Sequence, residues 1–514
     1  GKRKPLTGTY INVGLLLVIA FMYFYPRYLS VDEIEQPANS SLEAAISDKS
    51  IAVLPFADLS PNKDQGYFSD GMMEEILNHL FKIGDLQVTS RTSAMRYRGS
   101  AKSIPEIARE LGVSTILEGS VRKAGNRVRI TVQLIDGHTD KHLWAETFDR
   151  NMDDIFAIQS EVAQSIASTL QAEIQPEVRL RIESQPTNSI DAYNLFLETR
   201  ELDSFDPDEN RKALGILEEV IRLDPKFSRA YNSVGSRLQT GATLFSTEGG
   251  MDPAKAWLIS KPYLEKALEL DPENGMAHTR MAWSLLWFEW DFEGAKHQYE
   301  EAKRIFPNNS WTDYLIATGN FDEAAEGAER SVEIDPTSGF SWTSAIEAYY
   351  FAGEHQKALE IIQSALEDHQ GLMIRTAASR TLMYMEKYRE ALDVIRAIHE
   401  ERPDVESPRI YAIEAISEYR LGNQEDVANI IEKLKERSAQ NAGGSPSFYL
   451  AMIYTVLGEI DLAFEWLEKS YQDHEVEMYW LKVEPPFEPI RGDPRYQEML
   501  DKVGFPQIIM NDEL

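Results

Sequence analysis

A three-part pattern recurs through the second half of the chain: a glycine, a small residue a few places on, and a proline twelve beyond that. Ala295 is followed by Pro307, Ala324 by Pro336 and Ala391 by Pro403. Gly319 precedes Ala324, Gly353 precedes Ala358, Gly422 precedes Val427 and Gly458 precedes Ala463. The small-residue positions 295, 324, 358, 391, 427 and 463 stand 29, 34, 33, 36 and 36 residues apart. A period near ~34 marks stacked helix-turn-helix units, each too small to bury its apolar face alone. Ala358 and Ala391 let two helices approach closely. Gly353 and Gly458 suit a tight turn that needs positive φ. Each proline ends a unit, because the residue before it is pushed out of the helical region.

Leu223-Asp224-Pro225, Leu270-Asp271-Pro272 and Ile334-Asp335-Pro336 sharpen the pattern. With them, residues 191–480 resemble a tetratricopeptide (TPR) array, which implies an all-α superhelix with a concave groove for a protein or peptide partner. Residues 481–514, including Phe487-Glu488-Pro489 and Ile490-Arg491-Gly492-Asp493-Pro494, resemble the closing segment that caps such an array.

At the other end, Lys2-Arg3-Lys4 precede an apolar run through Tyr25, which Pro26 stops. A helix over about 8–26 would just cross a bilayer at ~1.5 Å per residue. Tyr10 on one side and Tyr23, Tyr25 and Tyr28 on the other suit the two interfaces, and the basic side predicts a cytoplasmic N-terminus. The rival is a cleaved signal peptide, but Phe21 to Tyr28 lack a small-residue cleavage site. Residues 31–49, with Pro37, Asn39, Ser40 and Ser41, read as a linker.

Between the two lies an alternation of strand and helix signals over 50–175. Ile51-Ala52-Val53-Leu54 is a buried strand, and Val128, Ile130, Val132 and Leu134 alternate with polar residues. Ser103 and Glu106 form a capping box with Pro105 between them. Asp70 is expected to cap a helix, which would put Glu74 and Glu75 in its first turn, where carboxylates favour the dipole. Tyr67-Phe68-Ser69-Asp70-Gly71, Val88-Thr89-Ser90-Arg91-Thr92-Ser93, Leu117-Glu118-Gly119-Ser120-Val121-Arg122 and Leu143-Trp144-Ala145-Glu146 together resemble the TolB amino-terminal-like α/β domain. In bacterial proteins that resemblance implies a membrane helix before the domain and TPRs after it. It also implies a cytoplasmic output domain ahead of the helix, as in CadC-like or adenylate-cyclase-like regulators. Residues 176–190 read as a second linker.

The net charge of −32 sits mostly in the helical half: residues 176–514 carry −28 of it. So much acid repels phosphate backbones, and no nucleic-acid partner is expected. There is no cysteine to act as nucleophile or metal ligand. His138 and His142 fall in a hairpin turn and the strand after it, so they do not pair as helical ligands. No metal or cofactor is expected. The candidate partner-binding residues are Arg91, Arg96, Arg98, Arg122, Arg127 and Arg129, a basic concentration, with Tyr349 and Tyr384 from the array. The expected protein is multi-domain: transmembrane helix, small α/β domain and TPR superhelix. It is a non-catalytic scaffold or sensor in the bacterial inner membrane, its bulk periplasmic. The alternative is the regulatory portion of a larger protein whose cyclase, winged-helix or kinase domain lies upstream.

Overall fold

A computed structural model describes residues 46–203, 206–243, 253–308, 311–368, 371–440 and 443–506. The expected membrane helix at 8–26 and nearly all of the 31–49 linker lie outside the described residues. Among the described residues no helix is long and apolar enough to cross a membrane. The chain folds as a small amino-terminal sheet domain followed by a mostly helical, TPR-like superhelix.

The sheet runs β3 (Gln87–Val88), β1 (Ser50–Val53), β4 (Thr115–Ala124), β5 (Arg127–Asp136) and β6 (His142–Asn151), with β2 (Ala57–Asp58) also on β4. β1 is parallel to β3 and β4, whereas β4, β5 and β6 form an antiparallel meander. β1 is buried along its whole length, as its unbroken apolar run requires. β5 buries Val128, Ile130, Val132 and Leu134 and exposes Arg127 and Arg129. Helices α1 (Gly66–Phe81) and α4 (Ile155–Thr169) cover one face, and the short α2 (Arg91–Met95) and α3 (Ile104–Leu111) lie between them in chain order. α3 covers Ala52 and Ile116 on the other face through Ile107, Ala108 and Leu111. Its capping box forms as expected, with Ser103 donating its amide to Glu106 at 2.8 Å.

One expectation fails here. α1 starts at Gly66, not at Asp70, because Phe68 is itself a core side chain and extends the helix forward. Asp70 therefore lies inside the helix, and Glu74 and Glu75 lie in its middle, buried. Three interior carboxylates gain little from the helix dipole, which acts only over the first turn.

Beyond Ile190 the chain forms eight successive helix pairs among the described residues. The first four are Ile190–Glu198 with Pro207–Leu223, Ser228–Thr243 with Pro253–Leu270, Gly275–Ser284 with Phe292–Ile305, and Thr312–Thr318 with Phe321–Ile334. The others are Gly339–Phe351 with His355–Asp368, Leu372–Tyr384 with Tyr388–Glu401, Pro408–Leu421 with Gln424–Ala439, and Pro446–Leu457 with Ile460–Gln472. Connections of two or three residues make the last five pairs antiparallel, and the repeat positions explain why the pairs stack. Ala295, Ala324, Ala358, Ala391 and Ala463 are all fully buried. Gly353 and Gly458 turn between helices at φ 77° and 81°, a region closed to most side chains.

The last pair returns to the third. The His474 ring stacks on Trp290 with centroids 3.9 Å apart, and Phe505 meets Phe292 at 4.9 Å. Residues 473–490 include two 3₁₀ turns, and 473–480 lie against side chains of the third to seventh helix pairs. Pro494–Val503 closes the end by burying Tyr496, Met499 and Val503.

Candidate functional site

The sheet domain and the array share one apolar core. Phe68, Met72 and Ile76 of α1 belong to the same buried cluster as Tyr193, Phe196, Phe227 and Ala230 of the first two helix pairs. Buried polar groups fix how the parts dock. The carboxylate of Glu75 lies 2.6 Å from Arg229 Nη1, and that of Glu74 receives Arg200 at 2.7 Å and Arg91 at 3.3 Å. Asp335, from the Ile-Asp-Pro signature, accepts the Ser90 amide at 3.1 Å and the Ser93 hydroxyl at 3.0 Å. The Asn308 side chain donates to the Leu86 carbonyl at 2.8 Å. Buried charge pairs cost desolvation, so their return is a defined geometry more than added stability.

The six arginines singled out in the sequence fall into two groups. Arg91, Arg96 and Arg98 are at the domain junction. Arg91 serves Glu74, Arg98 pairs with Asp70, and Arg96 donates to the Thr337 carbonyl at 3.1 Å. Arg122, Arg127 and Arg129 lie exposed on the β4–β5 hairpin, and the last two share Asp149 of β6. Tyr349 is buried with Lys357 Nζ 4.2 Å above its ring. Tyr384 points inward and donates its hydroxyl to Glu484.

Beyond Tyr384 lies a cavity on the concave side, about 470 Å³ in volume. Trp283, Trp287, Phe340 and Trp480 form its aromatic walls. Charged side chains line the rest. Arg380 lies 2.5 Å from Glu347 and 3.5 Å from Glu484, with Trp480 stacked 5.0 Å from its guanidinium. Arg409 donates to the Tyr449 hydroxyl at 2.7 Å and lies 3.4 Å from Glu477. Asp313 stands across from them, and burial, reinforced by Glu347 and opposed by Arg380 and Arg409, pushes its pKa up to about 6. Burial also raises Glu484, against the pull of Arg380. Asp473 and Glu475 also line the space, so five carboxylates, with Glu484 beside them, stand against two guanidinium groups. Trp287 Nε1, Thr343 Oγ1 and Glu477 Oε2 are buried without a hydrogen-bond partner. A basic side chain carried on an apolar stem would meet both the excess acid and the aromatic walls.

Sequence reasoning missed Glu347, Arg380 and Glu484. The signal was a charge inside an apolar helical run, as in Ala345-Ile346-Glu347-Ala348-Tyr349.

Residues 47–167 match the family model of the second domain of HilA/YgeH-like transcriptional regulators. The Rhizobium meliloti (strain 1021) protein named "Putative adenylate cyclase 3" is 35% identical over 260 residues, 50% of this chain and 44% of that protein. The chain therefore spans under half the length of that relative. Among solved structures, a tetratricopeptide repeat protein from Parabacteroides merdae shows 13% identity and a TM-score of 0.37, over 54% of this chain and 99% of that one. Yeast Tom70 shows 15% identity and a TM-score of 0.36, over 68% and 82%. A human IFIT1 dimer with m7Gppp-AAAA shows 16% identity and 0.38, over 62% and 77%. The repeat architecture of this chain rests on its own helix pairs and buried alanines.

Proposed function

We propose that this chain is the non-catalytic, regulatory part of a signalling protein and acts by binding a protein partner at the concave cavity. The cavity itself carries this reading: aromatic walls and carboxylates that outnumber the arginines on the inner face of the array favour a Lys or Arg side chain. The −28 charge of residues 176–514 favours the same partner and disfavours nucleic acid. The tightly docked sheet domain then moves with the array as one body, so an event at the cavity reaches the amino-terminal side. The name of the Rhizobium meliloti relative and the regulator family matched over 47–167 support an output domain in the same protein. Lys2-Arg3-Lys4 and the apolar run after them support a single-pass anchor in the bacterial inner membrane, with the sheet domain and array periplasmic.

A peptide-display selection on the full chain tests the binding. Enriched sequences should place Lys or Arg beside an aromatic or aliphatic residue. Their affinity should fall as salt rises, and fall about tenfold or more in Asp313→Asn/Glu477→Gln. No enrichment, or steady cyclase, phosphatase or peptidase turnover by the purified chain, contradicts the reading. A carbonate wash and a carboxy-terminal reporter fusion test the anchor: full release, or a cytoplasmic signal, contradicts it.

A further inference from the structure

A second cavity, about 520 Å³, lies where the sheet domain meets the second and third helix pairs. Asn78 and Phe81 of α1 line one side, and Asn232, Arg280, Trp283 and Phe306 of the array line the other. Its volume is in the range of small-molecule sites.

The charge balance here is the reverse of that in the concave cavity. Arg200 reaches this space too, but its charge is matched by Glu74 at 2.7 Å. Arg280 has no carboxylate against it among the described residues; its guanidinium lies 5.7 Å from the Trp283 ring centroid. Burial alone, with no opposing charge, brings its pKa down to about 10. Its side chain is half-buried, and an arginine partly withdrawn from water without a counter-ion gains from an anion that joins it. Around it stand buried polar atoms that have no partner: Asn78 Nδ2, Arg200 Nε and Asn232 Oδ1, the last on a residue only 8% exposed. Phe81, Trp283 and Phe306 supply apolar surface beside these groups.

We infer that this interdomain cavity binds a small organic anion, its carboxylate or phosphate head on Arg280 and its apolar body against Phe81, Trp283 and Phe306. Asn78 donates to the head, and Asn232 Oδ1 accepts from a hydroxyl or amide on the body. Such a ligand touches both domains at once, so it tightens their junction. The site shares Trp283 with the concave cavity but none of its charged groups, and stands or falls without it.

Calorimetric titration of the full chain tests this with phenyl phosphate, 3-phenylpropionate, inorganic phosphate and phenethylamine. The two organic anions should bind saturably and raise the melting temperature. Inorganic phosphate should bind more weakly, for want of a body, and phenethylamine should not compete. Arg280→Met should weaken the organic anions about tenfold or more, and Arg280→Lys less. If Arg280→Met fails to fold, Asn78→Ala provides the same comparison, with a smaller loss expected. No saturable anion binding by the folded wild-type chain, affinity unchanged in these variants, or equal binding of phenethylamine overturns the inference.

Discussion

Arg229 places Nη1 2.6 Å from Glu75 Oε2, with side chains only 15% and 5% exposed, and so ties the second helix pair of the array to the middle of α1. The Phe196 ring lies under the guanidinium at 5.3 Å, so the pair is closed from one side by the shared core. Replacing one member strands the other. Arg229→Met is expected to cost about 3–5 kcal/mol, because Glu75 is left buried and unpaired. Glu75→Met combined with Arg229→Met should recover much of that loss. Denaturant unfolding of the two variants beside wild type measures the difference; a single variant no worse than the double contradicts the pairing.

His79, one turn further along α1, sets an acid limit. Burial first, then Lys82 and Arg229, bring its pKa down to about 3 from an ordinary value of 6.5. Between those values the unfolded chain binds the proton and the folded chain does not. Stability from this group is therefore full above pH 6.5 and is lost as pH falls towards 3, at up to about 1.4 kcal/mol per pH unit. His79→Gln should flatten that slope between pH 6 and 4. An unchanged slope in a folded variant contradicts the assignment.

Asp313 works in the opposite sense. Its folded pKa of about 6 exceeds the ordinary 3.8, so the native chain holds the proton more tightly than the unfolded one between those values. The destabilisation is absent below 3.8 and full above 6. Asp313→Asn is expected to melt higher than wild type at pH 7.5 and together with it near pH 3.5. Thermal melts at the two values decide it, and a variant less stable at pH 7.5 contradicts the account.

The repeat was legible because its physics is local. A buried alanine, a glycine at positive φ and a helix-ending proline each leave a mark within a few residues, and Ala324, Gly353 and Pro336 behave as their spacing implies. The docking was not legible. Asp335 reads as a consensus residue of one repeat, yet its carboxylate holds Ser90 and Ser93, more than 240 positions away in the chain. Glu74 and Glu75 were misplaced because a helix start was set by Asp70, when apolar Phe68 had already committed the preceding turn to the core. The concave cavity escaped because the return of residues 473–490 depends on His474 meeting Trp290, a tertiary event.

The register of the fifth pair gives a further test. Ala358 is fully buried, while Lys357 beside it is partly exposed and holds Glu329 at 2.9 Å. Ala358→Trp should cost about 1–3 kcal/mol or more by overpacking. Lys357→Trp gives up two surface pairs, with Glu329 and Glu354, and the cation above Tyr349, and should cost about 1 kcal/mol or less. Equal shifts in melting temperature contradict this register.

That the sheet domain and the array move as one body is most directly tested by a distance. The chain has no cysteine, so Asn126→Cys and Glu326→Cys, both at exposed positions, introduce two labels and no others. Pulsed electron-electron spin resonance on the doubly labelled full chain should give a single narrow distribution, which broadens when Arg229→Met is added. A broad or two-peaked distribution in the otherwise native chain contradicts the account.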